Sequence, residues 1–205
     1  MGTTTVTSGN NSSIGPLNGN NLVVDQGGNA THVYANGGTV TNHGIISGSN
    51  ADTDNYGIWV TSSGTNDSVF ENYGSAMGVL ADFVTTNEQY GWMSNVSVSG
   101  TTFIADSDTT TFDLNLQSGS GSHYTIANIS AGAVVNGGST YGWSVINVTG
   151  SVSNFSANGN NTSGDGIQVK NGGNVINADV QAGGYLVVSK GGNASGGTIE
   201  TSGNA

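Results

Sequence analysis

The chain has 205 residues, 35 of them Gly and only 7% charged, and it carries a net charge of −11. Two lysines against 13 acids exclude a phosphate-neutralising surface for nucleic acid and a polybasic attachment to anionic lipid. The lack of cysteine excludes disulfides and thiol chemistry, and no run approaches the roughly 20 apolar residues of a membrane-crossing helix.

In chain order, Met1-Gly2-Thr3-Thr4 lacks the basic and apolar regions of a signal peptide, so either an export signal lies elsewhere or the chain is a fragment of a longer protein. Residues 1–16 read as an N-terminal cap ending at Pro16, the single proline. Residues 17–48 are repeat-like: LVVDQGGNA spans 22–30 and Asn36-Gly37-Gly38 follows. Residues 49–170 carry a period of 17. Tyr56, Tyr73, Tyr90, Tyr124 and Tyr141 fall on one lattice, with a gap at Ser107. Trp92 and Trp143 share a lattice position, and Trp59 lies one place off it. From 171 to 205 the period is 19. Gly172-Gly173, Gly183-Gly184 and Gly191-Gly192 alternate spacings of 11 and 8, and LVVSKGGNA at 186–194 mirrors the early segment.

Short apolar clusters such as Ile58-Trp59-Val60, separated by Gly, Asn and Ser, predict many short strands with tight turns rather than disorder. Dense Gly and β-branched residues disfavour helix. A repeat of 17–19 residues is one coil of a parallel β-helix, whose apolar side chains are buried only when coils stack. The expected fold is all-β: a parallel β-helix, or solenoid, of about 10–11 coils forming a single unit over 1–205. Paired Gly suits corners that need positive φ or close approach.

The Gly-Gly units from Asn171 to Ile199, with a weaker echo from Leu22 to Val40, resemble the repeats of AIDA-type autotransporter adhesin passengers. The resemblance covers about a quarter of the chain. It implies a right-handed β-helix exported to the bacterial surface or secreted, with roles in adhesion, self-association and biofilm formation. It also implies partners: a copy on a neighbouring cell, or a host or matrix glycan or protein. Some members carry heptose on Ser or Thr, and Ser189, Ser195 and Thr198 sit in the matching repeat.

Catalytic groups are sparse, and no cofactor is implied. A polysaccharide lyase or hydrolase on this fold needs clustered carboxylates, commonly with basic residues. The candidates are Asp52, Asp54, Asp106, Asp108 and Asp165 beside Lys170, and there is no Arg. Asp52-x-Asp54 opens like a calcium loop, but its twelfth position is Ser63. Asp52, Asp54, Asp106 and Asp108 are therefore only loose Ca²⁺ candidates, and solvated turn aspartates are the plainer reading. His32, His43 and His123 have no zinc-site spacing. An enzyme and an inert stalk stand as alternatives to the adhesin.

The aromatic residues are the strongest lead to binding. At coil spacing the tyrosines are expected along one edge of the rod. There they would form an internal or half-buried stack, which aromatic burial favours, or an outward ladder able to meet sugars or another chain. Trp59, Trp92, Trp143, Tyr56, Tyr73, Tyr90 and Tyr141 form the candidate contact face, with the tryptophans the better surface candidates.

Overall fold

A computed structural model describes residues 2–9, 11–49, 55–62, 68–82, 86–118, 124–159 and 166–200. Among these there is no helix. The strands pair in parallel, coil upon coil, into a β-solenoid of about nine turns.

The first face stacks ten strands: Thr3–Val6, Asn21–Val24, Gly38–Asn42, Ser68–Asn72, Thr86–Gln89, Thr102–Ala105, Thr125–Ile129, Ser144–Val148, Gly166–Val169 and Tyr185–Val188. The other sheet has twelve strands and is folded along its length. It starts at Asn11–Ser13, and in the next coils its two legs are separate strands, Asn29–Thr31 with Val33–Asn36, and Ile45–Ser47 with Ile58–Thr61. From Ser75–Asp82 onward they fuse into strands of seven or eight residues: Trp92–Ser99, Thr110–Gln117, Val134–Tyr141, Ser151–Asn158, Asn174–Val180 and Asn193–Ile199. We call the legs the second and third faces.

The fold line between these faces is one residue wide. His32, Gly78, Asn95, Asp113, Gly137, Asn154, Asn177 and Gly196 occupy it, and all have φ between 51° and 81°. Asn, Asp and Gly tolerate that conformation best. Side-chain amides bridge coils along it: Asn177 donates to Asn154 at 3.2 Å, and Asn154 donates to Asn136, the residue just before the line in its coil, at 2.9 Å.

The corner between the first and second faces comes in two lengths, and these explain the two sequence periods. Asp25–Gly28, Asp106–Thr109, Ser130–Ala133, Lys170–Gly173 and Ser189–Gly192 are four-residue turns, each closed by a backbone bond from its fourth N–H to its first carbonyl at 2.8–3.0 Å. His43-Gly44, Tyr73-Gly74, Tyr90-Gly91 and Thr149-Gly150 turn the same corner in two residues. In the turns that carry a Gly-Gly pair the first Gly takes positive φ, as at Gly172 (84°). The second is needed for close approach: a Cβ at Gly173 would lie 2.1 Å from the Val148 carbonyl oxygen.

Alternate side chains point inward and form one continuous core. One inward file along the first face runs Leu22, Val40 and Phe70, crosses the coil of Asn87, and continues through Phe103, Ala127, Ile146 and Ile167, all of these apolar members being fully buried. Beside it lie two buried amides, Asn42 and Asn72, joined at 2.7 Å. The Asn42 amide also donates to the Ser75 carbonyl at 3.0 Å, and that of Asn72 to Trp92 at 3.3 Å. These amides hold the backbone of the short corners.

The turn count is below the 10–11 coils that repeat length predicts, because some steps carry loops instead of coils. Val40 pairs with Phe70, a step of 30 residues, and Phe103 pairs with Ala127, a step of 24.

Candidate functional site

Three consecutive short corners place His43, Tyr73 and Tyr90 in one column, because the strands before them pair Asn42 with Asn72 and Asn72 with Gln89. The coil rise of about 4.8 Å matches aromatic stacking distance. His43 stacks on Tyr73 at 4.9 Å and 17°, and Tyr73 on Tyr90 at 4.7 Å and 2°. Each coil after its two-residue corner enters the second face through Gly. A Cβ at Gly74 would sit 2.2 Å from the Gly44 carbonyl oxygen, and one at Gly91 2.1 Å from that of Gly74. Bare backbone at these positions lets the corners close tightly enough for the rings to meet.

The column continues past the rings at both ends. Register puts Asp25 below His43 and Asp106 above Tyr90. Both aspartates begin four-residue turns. The three short corners therefore lie in a notch between two longer, acidic turns. Two shallow grooves meet there at Tyr73. One is lined by Asp25, Gln26, His43 and Tyr73. The other is lined mainly by Tyr73, Ser75, Trp92, Asp108 and Thr110.

The adjoining second face adds apolar side chains in a zigzag, one per coil: Ile45, Met77, Trp92, Phe112 and Val134. Phe112 is half-buried and the other four are exposed. Trp92 and Phe112 touch, with ring centroids 6.0 Å apart.

The other predicted aromatics do not join this column. Tyr56 and Trp59 lie with His32 and Tyr34 near the early fold line, where Trp59 meets Tyr34 at 5.1 Å and Tyr56 at 5.8 Å. The Trp59 indole N–H is enclosed without a hydrogen-bond partner of good geometry. It faces Asp82, whose carboxyl is pushed above its usual range by burial and pulled back in part by the indole. Tyr124 meets Trp143 at 5.2 Å, away from the corner column. Tyr141 ends a third-face strand and is 58% exposed.

The expected single edge of five tyrosines is thus replaced by three groups and one isolated ring. Steps of 30 and 24 residues break the 17-residue lattice, which holds between Tyr73 and Tyr90 alone. The expected internal or half-buried placement is met by two of the five tyrosines. Tyr73, Tyr124 and Tyr141 are exposed, Tyr56 and Tyr90 are half-buried, and the core aromatics are Phe70, Phe103 and Phe155. His43, Asp25 and Phe112 are members of the corner that sequence spacing missed. The one signal for His43 is the shared pattern of an aromatic ring followed by Gly at 43–44, 73–74 and 90–91.

Of the acidic candidates, Asp52, Asp54 and Asp165 lie outside the described residues, as does His123. Asp106 and Asp108 share one turn, and Ser130 donates to Asp106 at 3.3 Å. Among the described residues no three of His, Asp and Glu gather as a metal-binding group.

No family model matches the chain, and no curated protein matches it. A solved structure that is similar is the TibC-catalysed hyper-glycosylated TibA55-350 fragment, at 16% identity and a TM-score of 0.31, covering 99% of this chain and 83% of that one.

Proposed function

We propose that this chain is a segment of a bacterial surface-exposed or secreted adhesin, which binds a host or matrix glycan through the aromatic corner at His43, Tyr73 and Tyr90. The observation that carries this reading is the outward stack itself. Aromatic burial is strongly favourable, yet here three rings stand on a solvent-facing corner, beside Trp92 and two open grooves. Rigid aromatic surface of this kind supplies contact area at low entropic cost. Repetition along a rod adds avidity when several such segments engage one surface. Catalysis would need convergent acid–base or nucleophilic groups, and the corner instead sets Asp25 four coils from Asp106 and Asp108, which share one turn.

The test is adhesion of beads coated with the chain to matrix- or cell-coated surfaces. The double variant Tyr73→Ala/Tyr90→Ala is expected to cut adhesion about ten-fold or more, the loss typical of central aromatic contacts. Tyr141→Ala, exposed but outside the column, serves as the control. Equal adhesion by the double variant and the control would remove the reading.

The apolar zigzag favours a second reading, homotypic pairing of two rods across their second faces. Sedimentation equilibrium tests it. Since each copy carries −11, such pairing should strengthen with salt and disappear in Trp92→Asp.

A further inference from the structure

We infer that the ligand of the aromatic corner is an amino-sugar polysaccharide recognised through its unacetylated, cationic residues, an inference that rests on the glycan reading above. Five consecutive coils place Asp25, His43, Tyr73, Tyr90 and Asp106 in one file. At about 4.8 Å per coil the two carboxylates are roughly 19 Å apart, with the aromatic floor between them. Asp108 adds a third carboxylate on the groove shared with Tyr73 and Trp92. The site is therefore long, open at the sides and negative at both ends, which suits an extended chain lying along the rod axis.

No lysine or arginine stands among those charges. The chain has two lysines and no arginine. Lys170 is in the same corner file but three coils beyond Asp106, about 14 Å on, and Lys190 is one coil further still. A uronate, sulfated or sialylated glycan would bring its charge into a field of like sign, which is further reinforced by the net −11. A neutral glycan would gain ring contacts and hydrogen bonds only. An ammonium-bearing sugar gains these and two more terms: charge-assisted hydrogen bonds to Asp25, Asp106 or Asp108, and attraction of the cation to the neighbouring aromatic rings. Trp92, 37% exposed beside the groove, offers a face for the apolar side of a sugar ring.

Titration calorimetry of the full chain tests this with three oligomers of equal length: glucosamine, N-acetylglucosamine and galacturonic acid. The glucosamine oligomer should bind, and its affinity should fall as salt rises. The N-acetylated oligomer should bind about ten-fold more weakly or worse, and the uronate oligomer should show no heat of binding. Asp25→Asn/Asp106→Asn/Asp108→Asn, which keeps side-chain shape and the turn, should lose about ten-fold or more for glucosamine, a larger factor than for the N-acetylated oligomer, and should flatten the salt dependence. N-acetylated or uronate oligomers binding as well as glucosamine, a triple variant indistinguishable from wild type, or no binding of glucosamine at all would each overturn the inference. The glycan reading fails separately, through adhesion that survives Tyr73→Ala/Tyr90→Ala.

Discussion

The coils at Tyr73 and Tyr90 and the coils over Gly166–Ile199 turn the same corner on the same core, yet only the first group presents a ridge. The difference lies in corner length. A two-residue corner leaves one side chain per coil at the bend, directly above its counterpart, so an aromatic residue there must stack on the next. The four-residue turns of the late coils spend their extra residues on a Gly-Gly pair, and their first residue is Lys170 or Ser189, which forms no aromatic column. Solenoid stability is nearly a sum of coil and interface terms, so a local change in corner length can add a binding feature without disturbing the rod. Binding capacity and foldability are thereby separated along one chain.

The most severe break should come from the core that both regions share. Phe103 is fully buried on the first face, and Phe103→Ala should cost about 3–5 kcal/mol in urea denaturation, as large cavities do. A loss below about 1 kcal/mol would mean that the coils close over the gap. Next in size is a contrast between corners. In Gly74→Ala the new Cβ meets the Gly44 carbonyl oxygen at 2.2 Å, backbone against backbone. This should cost about 1–3 kcal/mol or more and part the Tyr73–Tyr90 rings, visible as a change in near-ultraviolet circular dichroism. In Gly172→Ala nothing lies within 4 Å, and the cost is confined to holding φ at 84°, about 1–2 kcal/mol. Equal near-ultraviolet changes in the two variants would erase the proposed distinction between tight and loose corners.

These contrasts also explain what could be read in the sequence and what could not. The strands and the solenoid were legible because Leu22-Val23-Val24, Ile58-Trp59-Val60 and Tyr185–Val188 are short, β-branched and set off by turn residues. The Gly pairs were legible as corners because two distinct backbone demands fall on adjacent positions. The aromatic column was legible over one step, Tyr73 to Tyr90. It could not be extended, because the insertion between Ile45–Ser47 and Ile58–Thr61 hides His43 from its neighbour Tyr73. A coil of 16 residues likewise puts Asp106, rather than Ser107, above Tyr90. The fold line was invisible for a different reason. Apart from His32 its members are Gly, Asn and Asp, which recur throughout this chain, and only their shared positive φ marks them.

The smallest effects concern pH, and they should run in opposite directions in the two halves of the rod. Asp82, beside the early aromatic group, is raised by burial, so its native state holds the proton more tightly than its unfolded state. Its contribution increases stability as pH falls through the raised value and levels off below the usual carboxylate range. Asp179, in the late coils, is lowered chiefly by hydrogen bonds from Thr198 and Gln181. Its contribution is present above the usual range and is lost as pH falls through the lowered value. Because Asp179 is largely exposed to water, solvent screens its share, and it should be the smaller of the two. Melting temperatures of Asp82→Asn and Asp179→Asn across the acidic range check the sign. Asp82→Asn should flatten the acid-side gain, and Asp179→Asn should flatten the acid-side loss. Two variants sloping the same way would mean that these carboxylates sense the net charge of the whole rod, rather than the enclosed indole on one side and the hydroxyl rung on the other.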